Sequence, residues 1–178
     1  MRVTLACALV TPAVRAALRL GEVSGTFQYA VCATDLERFV LGSADEGPAW
    51  AMPTPYVSGR LPLGTPAPPT AFIAYDPYER GDLDIEGYLA DIPYVATGGG
   101  NAYNEVHYER PIRVGDDLVV DVTFTDVFEK PGRAGTLLFH TRRARYTTSP
   151  EQGGDLVAST ICAHIRAFDT TRWKDDPR

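Results

Sequence analysis

Residues 118–168 constrain the fold most. "LVVDVTFTDVFEK" (118–130) alternates well: Leu118, Val120, Val122 and Phe124 fall on one face, Asp121, Thr123 and Thr125 on the other. That period of two belongs to a strand with one buried face. "PGRAG" (131–135) is a hairpin turn and "TLLFHTRRARYTT" (136–148) its return strand. "SPEQGGD" (149–155) turns again into "LVASTICAHIRAF" (156–168). Three long strands joined by tight turns form an antiparallel meander, and its apolar face needs a cover.

The upstream sequence supplies that cover. "PAVRAALRL" (12–20) has Pro12 at a first helical position and Gly21 just past its end, so it reads as a short helix. "TFQYAVC" (26–32) reads as a strand. "TDLERFVLG" (34–42) offers Thr34 as N-cap with Glu37 three residues on, an apolar stripe of Leu36, Phe39 and Val40, and Gly42 as stop. Residues 43–69 form a long Pro/Gly-rich loop, of the length that usually carries function. In "TPAPPTAFIAY" the tandem prolines predict a helix from Pro69 that buries Phe72 and Ile73. Another strand, "NAYNEVHY", precedes a turn at Pro111–Asp117. The fold class read from this order is α+β, a single antiparallel sheet wrapped around one central helix. Residues 1–20 are expected to be an N-terminal extension, 21–168 the domain, and 169–178 a polar tail that frays.

Composition narrows the function classes. The 178 residues carry a net charge of −6, which disfavours nucleic acid as a partner. No apolar run approaches the ~20 residues needed to span a bilayer, so no membrane is expected. The start "MRVTLACALV" is positive and then apolar, but Thr11, Pro12, Arg15 and Arg19 interrupt it, so a cytoplasmic protein is expected. Cys7, Cys32 and Cys162 form no CxxC pair and stand at no metal-ligand spacing from a His. They read as buried, reduced thiols, with no metal and no cofactor implied. Gly98, Gly99 and Gly100 are followed by no helix-start pattern or Lys-Ser/Thr, which excludes a P-loop. They read instead as a place where the chain turns into the next strand beside a partner unit.

Several motifs together resemble the hot dog domains of the MaoC-like dehydratase family. They are "YNEVHYERPIRVGDD", the strand ending "FEK" with its "GRAG" hairpin, and "GDLVASTICAHIRA". Upstream, "TDLERFVLGSADEGPAW" resembles the family's helix and active-site loop, and "PAPPTAF" the start of its central helix. The resemblance covers residues 20 to 168. It implies a hot dog fold and hydration or dehydration of (R)-3-hydroxyacyl thioesters of CoA or acyl carrier protein. It implies an Asp-x4-His pair for proton transfer, a backbone N–H at the central helix start to polarise the thioester, and sites formed between two hot dog units.

This sequence departs from the pattern at one point. Asp45 stands where the family's catalytic Asp does, but Trp50 stands in place of the His. An indole N–H donates a hydrogen bond and exchanges no proton near neutral pH. Trp50 therefore reads as a wall of an acyl channel. Thr70 and Ala71 keep the N–H groups that Pro68 and Pro69 lack, and are the candidate thioester contacts. Gly99 and Asn104 join them as candidate substrate-binding residues. His107, between Glu105 and Glu109, is a candidate substitute acid–base group. His140 and His164 read as structural. Arg110, Arg113 and Arg133 are candidates to meet a phosphate.

Three readings stay open at this stage. In the first, the chain is the acyl-binding half of a dehydratase/hydratase whose partner hot dog subunit brings the Asp and His. In the second, a homodimer uses Asp45 and His107 for dehydration, isomerisation or cyclisation. In the third, the chain is a non-enzymatic acyl-binding or structural subunit. Thioesterase chemistry would need a central-helix carboxylate, and Asp76 is the one at hand.

Overall fold

In the computed structural model, residues 8–43, 61–133 and 135–174 are described. Asp45 and Trp50 lie outside them. Helix α1 (Pro12–Leu18) begins at Thr11, whose hydroxyl accepts from the Val14 N–H, and ends on Arg19 in the left-handed region at φ 44°. Strand β1 (Val23–Ala30) follows, then helix α2 (Ala33–Ser43). A 3-10 helix spans Pro69–Tyr75, and a one-turn helix α3 spans Ile85–Tyr88. The remaining strands are β2 (Tyr94–Tyr108), β3 (Asp117–Gly132), β4 (Gly135–Thr148) and β5 (Leu156–Trp173).

The five strands form one antiparallel sheet in the order β1-β3-β4-β5-β2. The meander expected from alternation is its centre. Val120, Val122 and Phe124 are fully buried, and Leu138, Ala144 and Tyr146 continue the row across β4. Ala71, Phe72 and Tyr75 of the 3-10 helix pack on this face, with Leu36 of α2 and Val14 and Leu18 of α1. The sheet therefore wraps a central helical segment, as the α+β reading requires.

Six details differ from the sequence reading. The central segment is a 3-10 helix, and Ile73 faces solvent while Phe72 is buried. Two prolines at its start remove two donors, and Asp76 in extended conformation stops it after seven residues. Thr34 lies inside α2, so no capping box forms. The Glu37 carboxylate instead accepts from the Leu61 N–H at 3.4 Å. Residues read as an extension belong to the core: Leu9, Val14 and Leu18 are buried, and Glu129 accepts from the N–H groups of Leu9 and Val10. The tail's first residues prolong β5, where Trp173 pairs with Tyr94. Gly98, Gly99 and Gly100 make no turn; they lie inside β2, opposite Ala167, Arg166 and Ile165. Of the described cysteines, both free, Cys162 is buried but Cys32 is exposed.

Candidate functional site

The concave face of the sheet divides into two halves. On β3 its inward row is apolar. On β4 and β5 the same parity brings His140 and Arg142 next to Cys162 and His164, because His140 pairs with His164 and Arg142 with Cys162 across the ladder. His140, Arg142 and His164 are all nearly or fully buried. The two imidazoles stack, with centroids 5.6 Å apart and planes 13° from parallel.

The turn after the 3-10 helix lies over this polar half, and Asp76 fixes it there. One carboxylate oxygen, Oδ1, accepts from the N–H of Tyr78 at 2.9 Å, from Glu79 at 3.4 Å and from Arg142 Nη2 at 2.8 Å. The Tyr78 ring is thereby laid on the cluster. Its centroid is 4.1 Å from that of His164, and Arg142 Cζ sits 4.6 Å above the ring. Glu79 Oε1 is 3.4 Å from His164 Nε2. Asp76 is the buried partner of an arginine and not a free base, which removes the carboxylate that thioesterase chemistry would need.

Several polar atoms of the cluster have no hydrogen-bond partner among the described residues. They are both ring nitrogens of His140, Nδ1 of His164, Nε and Nη1 of Arg142, and Oδ2 of Asp76. Burial, with the positive charge of Arg142 nearby, pushes His140 down to about 3 and His164 down to about 4. Both rings are neutral at neutral pH.

A cavity of about 590 Å³ opens beside the cluster, between the turn and β2. Tyr78, Glu79, His164 and Arg166 line one side of it, and Gly98, Gly99 and Gly100 with Asn101 form the other. The glycine run presents bare backbone. A Cβ on Gly99 would stand 2.8 Å from the Ile165 carbonyl oxygen, whereas Gly98 and Gly100 have open space.

Gly99 is thus the candidate contact that does line this cavity. Asn104 sits further along β2, opposite Cys162, and Asn101 takes the lining position. Thr70 is exposed at the 3-10 helix start. Ala71 is buried and its N–H already donates to the Pro68 carbonyl at 2.9 Å, so it is not open to a thioester. His107 stands apart from the cavity on β2, largely exposed and 3.3 Å from Glu109. Arg110 grips Asp116 with two bonds of 2.9 and 3.0 Å, and Arg113 donates to the Gly64 carbonyl at 2.7 Å. Both arginines fasten the turn before β3, and the charge of Arg110 is taken up by Asp116.

The sheet order and the enclosed helical segment define a hot dog domain, and solved structures agree. One is the ChsH1-ChsH2 complex from Mycobacterium tuberculosis, 18% identical, with 92% of this chain and 96% of that chain covered and a TM-score of 0.60. Another is the C-terminally truncated HadBC (3R-hydroxyacyl-ACP dehydratase) complex from the same organism, 16% identical, covering 78% and 90%, TM-score 0.53. YbaW, a probable thioesterase from Escherichia coli, shares the fold at 11% identity, covering 83% and 85%, TM-score 0.50. No curated protein sequence matches the chain. The family profile described as "FAS1-like, dehydratase domain region" matches residues 19–159, and the chain belongs to that family.

Proposed function

We propose that this chain is the acyl-binding half of an (R)-3-hydroxyacyl thioester dehydratase/hydratase built from two hot dog subunits, acting on CoA or carrier-protein thioesters. The observation that carries this reading is the edge strand β2. It is long, it is exposed along most of its length, and its glycine run walls a cavity. An exposed edge of this kind invites a further strand, and a second hot dog subunit would extend the sheet and close the cavity. Membership of a dehydratase-region family supplies the reaction class. Trp50 in place of His argues that the proton-transferring pair comes from the partner.

The homodimer that relies on His107 is less well supported, because that ring is exposed and paired with Glu109. A test is enoyl-thioester hydration measured with the purified chain and with a co-expressed second hot dog chain that keeps Asp-x4-His. The chain alone is expected to be inactive and the pair active. Robust turnover by the lone chain would overturn the assignment.

A further inference from the structure

The polar half of the concave face has no role in the reading above. A buried donor or acceptor without a partner is costly, so a core that keeps six such atoms on four residues, among those described, calls for a reason. Their position supplies one. His164 lies both in this cluster and on the cavity wall, and Tyr78 is the cover between the cavity and the deeper donors of Arg142 and His140. Tyr78 stands in a turn outside helix and strand, so its ring can swing aside without breaking an element.

The lining is also unsuited to a plain hydrocarbon chain: Ala96 and Ile165 are its only aliphatic residues among those described. The charges around it leave no surplus cation, since Glu79 adds a carboxylate beside the neutral His164. Arg142 is paired with Asp76, Arg166 with Glu86, and Glu79 faces His164. Such a site offers hydrogen bonds without surplus positive charge, which suits a neutral oxygen better than a carboxylate.

We propose that the cavity beside β2 takes an acyl group bearing a neutral oxygen, a hydroxyl or ketone, distal to the thioester, which accepts from His164 or, past Tyr78, from Arg142 and His140, a hydroxyl also donating to Glu79. The inference rests on the acyl-thioester reading and names its substrate class. Selectivity follows from the buried donors: an oxygen satisfies them, and a methylene in its place leaves them unpaired.

Calorimetric titration of the full chain tests it, alone and with its co-expressed partner. The probes are saturated acyl-CoA thioesters from butyryl to dodecanoyl, each compared with its ω-hydroxy, (ω−1)-keto and ω-carboxy counterparts. Varying the length moves the oxygen along the cavity. The hydroxy or keto probe is expected to bind roughly tenfold or more tightly than the unsubstituted one at some length. His164→Leu is expected to bring the two to parity. Glu79→Ala, at the half-open rim, checks the same loss should His164→Leu not fold. Equal binding of all probes by the unaltered protein overturns the oxygen site and leaves the acyl-binding role standing. Tightest binding of the carboxy probe overturns the neutral assignment. Failure to bind any thioester overturns both readings together.

Discussion

At the scale of single residues, two side chains of one cluster are expected to respond in opposite directions. His140 is fully buried and both its ring nitrogens lack partners among the described residues. His140→Leu removes two desolvated polar atoms at similar volume, so the melting temperature is expected to rise by about 2–4 °C for each kcal/mol gained. Arg142→Met leaves the Asp76 carboxylate buried without its cation, a change of about 3–5 kcal/mol in the other direction. Thermal denaturation of the two variants beside the parent checks both signs. A stabilising substitution that also erases oxygen selectivity is the behaviour of a site kept for binding. A weak signal for this cluster is legible in the residues. Alternation puts His140 and Arg142 on the same face as Leu138 and Ala144, a polar break in an apolar row. What it withheld is the cross-strand register that sets His140 against His164, and the turn that lays Tyr78 on both.

At the scale of elements, legibility tracks how far each segment's own pattern decides its structure. Strands β3 and β4 each bury one face, so their alternation is plain in the residues. Strand β2 buries almost nothing and contains three successive glycines; residues 101–108 read as a strand, but nothing local announces 94–100, whose pairing β5 supplies. The prolines mark where the central segment lies but not its type, since seven residues between Pro68 and Asp76 tighten into a 3-10 helix. Within β2 the glycines are not equivalent. Gly99→Ala forces a methyl group against the Ile165 carbonyl oxygen, and is expected to lower the melting temperature by several degrees. Gly100→Ala meets open space and is expected to be neutral or slightly stabilising. Parallel melts of the two variants separate close packing from mere flexibility as the reason for the run.

The whole molecule inherits a pH dependence from its two buried histidines. Their folded values lie near 3 and 4, below the ordinary value of 6.5. Between that ordinary value and the folded ones, the unfolded chain binds protons that the native state does not, so stability falls as pH drops through this window. Arg142 and Arg166 reinforce the depression of His164, and Asp76 opposes it. Chemical denaturation at a series of pH values from 7 to 4 is expected to show a slope approaching two protons per unfolding event. His140→Leu is expected to reduce that slope by about one proton. The order of the strands has another consequence, one of timing. Strand β5 is the last to leave the ribosome, yet it lies between β4 and β2. Until it emerges, β2 has no neighbour to join, and β4, once made, shows a bare flank. Closure of the sheet, and with it the wall of the cavity, therefore waits for the last of the five strands.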